Sequence, residues 1–271
     1  MLSQFASATT IVSSSSRWLS GVMRGSIDIN PRSRTDDTYL PWQTNGKYGG
    51  ISGTHYFQDI PQRAHTPVVF VHGNTGDATD WLPMMEAFLE TDYTGEDLWA
   101  ISFRRSSPSH EEMGAQLDEF VRNVMEFTGY DSVHVVSHSL GVTGVRYWLE
   151  QYERHSCVEK FIGLAGANHG SSRCKLLDSS HFTVGSNRTS WFLNPENMDD
   201  SSHPLQKLNE NETPGDIEYY TLRASSDRFF RQNPKSPELA GAENEVIEAN
   251  HMNLLTKEES IQTVYNWLNE S

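Results

Sequence analysis

A chain of 271 residues, 36% hydrophobic and 11% aromatic, is long enough to bury an enzyme-sized core, which excludes disorder throughout. A formal net charge of −15, with no concentrated cluster of lysine and arginine along the sequence, argues against a basic face for nucleic acid or anionic lipid. Only 6 of the 21 basic residues are lysine, and this lysine-poor, acid-rich balance suggests a surface adapted to high salt.

The first 27 residues contain no acid, carry Arg17 and Arg24, and include the run Ser13 to Ser16. That composition reads first as a disordered tail and second as an organelle transit segment, and it lacks the apolar core of a secretion signal. Residues 1–40 are taken as a tail or irregular lead-in and 41–271 as one catalytic domain. No run reaches the roughly 18 apolar residues that a membrane-spanning helix needs, so a soluble chain is expected, cytoplasmic or secreted after processing that leaves no recognisable signal. The two cysteines, Cys157 and Cys174, flank a probable strand and are expected to be free thiols.

From residue 67 onward, short β-branched runs alternate with helical stretches, the signature of a parallel sheet covered on both faces. Strands are expected near 67–72, 97–103, 132–137, 158–166, 217–223 and 244–249. Helices are expected near 79–90, 111–128, 140–154 and 256–269, where apolar residues return every three or four positions, as in Leu117, Phe120, Val121, Val124 and Phe127. Residues 171–214 break the alternation. They carry Phe182, Trp191 and Phe192 among polar residues and read as an inserted loop or small cap, either an acyl-binding wall beside the site or a packed surface excursion.

The chemistry centres on Val133-His-Val-Val-Ser-His-Ser-Leu-Gly141, an apolar strand that runs into Ser137-His138-Ser139-Leu140-Gly141 and then into a helix. This is the pattern of a nucleophile elbow. The turn strains the backbone at the nucleophile, so the positions two before and two after must be small, and here they are Ser137 and Gly141. A serine hydroxyl needs a base, the base needs an orienting carboxylate, and the tetrahedral oxyanion needs backbone donors.

When acid and histidine follow the serine in that order, each after a late strand, the candidates narrow. Of His155, His169, His181, His203 and His251, only His251 follows a late strand and precedes the C-terminal helix. Among Asp178, Asp199, Asp200, Asp216 and Asp227, Asp227 follows the strand Ile217 to Arg223 at the serine's edge, whereas Asp216 enters that strand from the opposite edge. The oxyanion donors are expected to be the amide of Leu140 and the amide of Asn74, in the turn His72-Gly73-Asn74-Thr75-Gly76. A phosphate-cradling loop is the rival reading of that turn, but it lacks the lysine-bearing pattern such loops use. His72, Gly73, Thr75 and His138 are expected around the site.

The elbow, the His72 to Gly76 turn and the segment Gly163-Leu-Ala-Gly-Ala-Asn-His-Gly170 together resemble the class 2 bacterial and archaeal lipases and esterases, from about residue 67 to the end. The resemblance implies an α/β-hydrolase fold, a mostly parallel sheet with helices on both faces and a small insertion after the sixth strand of that fold's usual numbering. It implies hydrolysis of acylglycerols or shorter esters without cofactor or metal, with Asn168 and His169 lining the site rather than supplying its base; Trp191 and Phe192 of the insertion are expected to line it too. A polyester depolymerase, an acyltransferase or an amidase would use the same three side chains. A catalytically silent binding module of the same fold is the alternative outside enzymes.

Overall fold

A computed structural model of the chain describes residues 33–57, 64–174 and 184–270. The runs Val68-Val-Phe-Val71, Leu98-Trp-Ala-Ile-Ser-Phe103 and Val133-His-Val-Val-Ser-His138 are buried at every residue, as strands covered on both faces must be. They belong to one seven-stranded sheet of β1 (Tyr48–Ser52), β2 (Val68–Val71), β3 (Leu98–Phe103), β4 (Val133–His138), β5 (Val158–Leu164), β6 (Glu218–Ala224) and β7 (Glu243–Ile247). The spatial order is β1-β3-β2-β4-β5-β6-β7. All neighbours pair in parallel except β1, which runs antiparallel to β3. The chain is an α/β protein with the α/β-hydrolase sheet.

The strand and helix expectations from residue 67 onward are met to within a few residues, and β1 is the strand they omit. Its sequence, Tyr48-Gly-Gly-Ile-Ser52, shows no alternation because two positions admit no side chain. A Cβ on Gly49 would lie 2.5 Å from the Asp36 carbonyl oxygen, and one on Gly50 would lie 2.6 Å from that of Ala100. Residues 33–40 pack against this edge, with Tyr39 and Leu40 buried and Tyr39 bridging Ile51. The tail and transit readings of residues 1–27 lie outside the described residues.

Helices α1 (Gly53–Phe57), α2 (Leu82–Leu89), α3 (His110–Thr128), α4 (Leu140–Gln151), α5 (Val184–Leu193), α6 (Pro204–Leu208) and α7 (Glu258–Asn269) are interspersed with the strands, with short 3-10 turns at several of the connections. The longest, α3, shows why these segments are helical. Ser109 and Glu112 form a reciprocal capping box at its start, Gly129 in a left-handed conformation (φ 74°) stops it, and Met113, Leu117, Phe120, Val121 and Val124 form its buried stripe. The insertion after β5 contributes α5 and α6, and its residues 175–183, Phe182 among them, lie outside the described set. It is fastened to the body: the Thr189 hydroxyl donates to the Pro108 carbonyl at 3.1 Å and the Phe192 ring stacks on His110 at 3.4 Å. Cys157 and Cys174 are not joined in a disulfide.

Among the described residues, His72, His110, His134 and His138 are buried as neutral rings. Burial pushes His72 and His134 down to about 4, and His110 and His138 down to about 3, from an ordinary 6.5. Because the folded values lie below the unfolded one, the stability gained by keeping the rings neutral is complete above pH 6.5 and is lost as pH falls toward 4 and 3. At up to about 1.4 kcal/mol per pH unit for each ring, acid should destabilise the fold steeply. The midpoint of urea unfolding is expected to drop markedly from pH 7 to pH 5; a midpoint that did not move would contradict the burial of these rings as neutral groups.

Candidate active site

Parallel strands bring the loops that follow β2, β4, β6 and β7 to one edge of the sheet, and the candidate residues lie on those loops. At the end of β4 the chain turns sharply into α4, and Ser139 at the turn has φ 54° and ψ −120°, a conformation that L residues adopt only under strain. Tight packing enforces it. A Cβ on Gly141 would fall 2.6 Å from the His72 carbonyl oxygen, so only glycine lets α4 start this close to the loop after β2. Ser137 is wholly buried, and Ser139 is partly exposed.

The Ser139 hydroxyl lies 2.9 Å from His251 Nε2, and His251 Nδ1 lies 2.7 Å from Asp227 Oδ2. The other carboxylate oxygen of Asp227 accepts the Phe229 amide at 2.8 Å, which fixes the rotation of the carboxyl group. Asp227 and His251 are buried, with 8% and 7% of their surface exposed, so their charges interact with little screening by water. Asp216, Asp199 and Asp200 make no contact with this chain of bonds.

The turn after β2 packs against Ser139. A Cβ on Gly73 would lie 2.9 Å from Ser139 Cβ and 3.2 Å from His138 Nδ1. His72 controls this turn: the Phe103 amide donates to its Nε2 at 3.0 Å, so the ring proton sits on Nδ1 and is donated to the Gly73 carbonyl at 2.7 Å. The Gly73 carbonyl and the Asn74 N–H share one peptide plane, so this bond also sets the direction of the Asn74 N–H. Further support comes from the loop after β3. Ser107 donates to Asn74 Oδ1 at 2.7 Å, and Thr75, at φ 64°, donates its amide to the Ser106 carbonyl at 2.6 Å. On the far side Arg34 donates to the carbonyls of Gly76 and Phe103. Leu140 is the first residue of α4, where the backbone N–H has no partner within the helix.

Gly73→Ala is expected to push the turn away from Ser139 and to lower, about a hundredfold, the kcat/KM of any reaction at Ser139 that uses the Asn74 amide as an oxyanion donor. A melting curve of the variant separates that loss from unfolding.

His138 donates from Nε2 to the backbone carbonyl of His251 at 3.0 Å, tying the loop after β7 to the turn at Ser139. Asn168 and His169 have partners of their own. Asn168 bonds Arg146 and the Pro237 carbonyl, and His169 bonds Glu212 at 2.9 Å and Ser236. Phe192 is buried against His110, and the exposed Trp191 lies 4.5 Å from the His203 ring. The three-way contact around His251 includes a residue the sequence did not single out: Phe229, whose ring lies 4.4 Å from the imidazole. It stands two positions after Asp227 in a loop without periodicity, so only its closeness to the acid could have drawn notice. Arg34, within the lead-in, carried no sequence signal at all. Among the described residues no group of three His, Cys, Asp or Glu side chains is arranged to hold a metal ion.

Residues 65–268 match the family of class 2 lipases. Among solved structures, the mature Bacillus licheniformis lipase BlEst2 superposes with a TM-score of 0.59 at 20% identity, covering 77% of this chain and 94% of that one. MGS-MChE2, an α/β-hydrolase enzyme from the metagenome of sediments from the Mar Chica lagoon in Morocco, gives 0.52 at 15% identity, covering 77% and 93%. At these identities the structures speak for the fold, and the family match speaks for the class of chemistry.

Proposed function

Because the chain belongs to the class 2 lipase family of carboxylic ester hydrolases, we propose that it cleaves esters through a Ser139–His251–Asp227 triad and an acyl-enzyme. The observation that carries this reading is the unbroken hydrogen-bond line from Asp227 through His251 to the hydroxyl of Ser139. Ser139 Oγ attacks the ester carbonyl carbon while His251 Nε2 takes the hydroxyl proton. Negative charge then gathers on the former carbonyl oxygen, where the amides of Asn74 and Leu140 receive it. As the tetrahedral adduct collapses, the alkoxide leaves with the proton from His251. Water attacks the acyl-serine in the same way, its proton passing through His251 back to Ser139 Oγ, and the acid departs. Asp227 keeps the ring proton on Nδ1 and stabilises the imidazolium formed in each half-reaction.

Residues 41–271 serve in this reading as one catalytic domain, with the insertion within 171–214 beside the serine. No helix among the described residues is long and apolar enough to cross a membrane.

The test is hydrolysis of nitrophenyl esters of increasing acyl length, with an emulsified triglyceride and a polyester film alongside, at low and high salt. Cleavage of the esters is expected, with activity retained or raised at high salt as the acid-rich composition implies. A chain that cleaved none of these substrates, and failed to react with a fluorophosphonate, would be a binding module of this fold and not an esterase.

A further inference from the structure

The segment 33–40 lies ahead of residues 65–268, which carry the family match, yet it reaches the turn beside Ser139. Its seat is built into β1. A Cβ on Gly49 would fall 2.7 Å from the Arg34 carbonyl oxygen and 2.5 Å from that of Asp36, so glycine lets the segment lie against the strand. The Gly50 amide donates to the Asp36 carbonyl at 3.2 Å and the Ser52 amide to that of Tyr39 at 2.9 Å. Asp37 closes the segment by accepting the Thr44 amide at 2.6 Å.

This seat carries the Arg34 side chain to two carbonyls. Its Nε donates to that of Phe103 at 3.1 Å, and its Nη2 donates to that of Gly76. Both acceptors belong to the frame of the Asn74 turn. Gly76 ends the turn, and Phe103 ends β3, where its amide holds His72 Nε2 and leaves the Nδ1 proton for the Gly73 carbonyl. One planar guanidinium thus ties the exit of the turn to the residue that sets the tautomer at its entry. The holds of His72, Ser102, Ser106 and Ser107 on this loop arise within the family-matched residues; that of Arg34 arises outside them.

The charges nearby are accounted for locally. Asp77 and Asp80 face Arg34, and their carboxylates are engaged in a reciprocal capping box at the 3-10 turn Ala78–Trp81, where they accept the amides of Thr79 and Asp77. Burial keeps His72 neutral, and the charge of Arg34 acts in the same direction. A second proton on that ring would remove the acceptor that the Phe103 amide needs. The turn itself is strained: Thr75, a β-branched residue, has φ 64°, a conformation that persists only where the surroundings impose it.

We propose that Arg34 is a positioning residue of the ester-hydrolase site, bracing the Asn74 turn so that its N–H stays aimed at the oxygen of the tetrahedral adduct, and that the catalytic unit therefore includes residues 33–40. The inference rests on the ester-hydrolase reading. Arg34 acts through Gly76 and Phe103, and its effect follows from preorganisation: an oxyanion donor is effective only if it is already in place when charge develops.

The test places Arg34→Gln in the full chain and reads kcat and KM separately on a soluble nitrophenyl ester. A fall in kcat of about tenfold to a hundredfold is expected, bounded by the loss of the donor itself, with KM little changed. The deciding measurement is the cycle with Gly73→Ala. Where the alanine has already displaced the turn, no aimed donor is left to lose, and the double variant is expected within about threefold of Gly73→Ala alone. A residue that merely supports the fold would give losses that multiply. Arg34→Lys keeps the charge without the planar fork and is expected to fall with Arg34→Gln.

Parental kcat in Arg34→Gln, losses that multiply in the cycle, or a lysine variant as active as its parent would each overturn the proposal, the last by assigning the effect to charge alone. If Arg34→Gln melts below the assay temperature, Arg34→Lys runs the same cycle. Any of these failures, with the ester still cleaved by the unaltered chain, removes the brace and leaves the triad; an unaltered chain that cleaves no ester removes both.

Discussion

Replacing Ser139 or His251 with alanine is expected to lower kcat on a soluble nitrophenyl ester by about a millionfold, and the double replacement to be no worse than either single one. The reason lies in the 2.9 Å contact between Oγ and Nε2. A serine hydroxyl without a base is a weak nucleophile, and an imidazole without the hydroxyl has no proton to move, so each group is useless without the other and their losses do not add. The oxyanion donors and the binding surface survive both changes and should leave a residual rate of about 10³ to 10⁴ over water. Steady-state kinetics of the three variants, with active-site titration of the unaltered chain, reads this directly. Additive losses would mean that the two side chains act in separate steps, and unchanged activity in Ser139→Ala would remove the serine from the mechanism.

Asp227→Asn is expected to cost about 10⁴ in kcat while the protein keeps its fold. The geometry gives the cause. The Phe229 amide donates at 2.8 Å to one carboxylate oxygen, so an asparagine would turn its carbonyl oxygen toward that donor and its NH₂ toward His251 Nδ1. Facing a donor, Nδ1 must give up its proton, which moves to Nε2. The nitrogen beside Ser139 is then unable to accept the serine proton. The loss should fall on kcat with KM little changed, because ground-state ester contacts are untouched. A fall confined to KM would show that Asp227 acts on substrate binding instead.

Much of this protein is legible in the sequence because its informative features are local. Buried parallel strands are short apolar runs, the helices carry one buried stripe, and the elbow compresses a strand, a strained turn and a helix start into nine residues, Val133 to Gly141. Strand β1 escaped notice for a physical reason: Gly49 and Gly50 are there to let backbones approach, and with two of its five positions glycine the strand shows no alternation. The short helices α5 and α6 of the insertion escaped for another, being held by contacts with distant parts of the chain such as Phe192 on His110 rather than by a stripe of their own.

Chain order and strand edges alone single out Ser139, Asp227 and His251, because in a parallel sheet the position of a residue after a strand dictates the edge at which it emerges. Tertiary structure decided what depends on through-space distance between remote loops: the hydrogen bonds that would lock the imidazole tautomer, the hold of His72 on the Asn74 peptide, and the packing of Phe229 on His251.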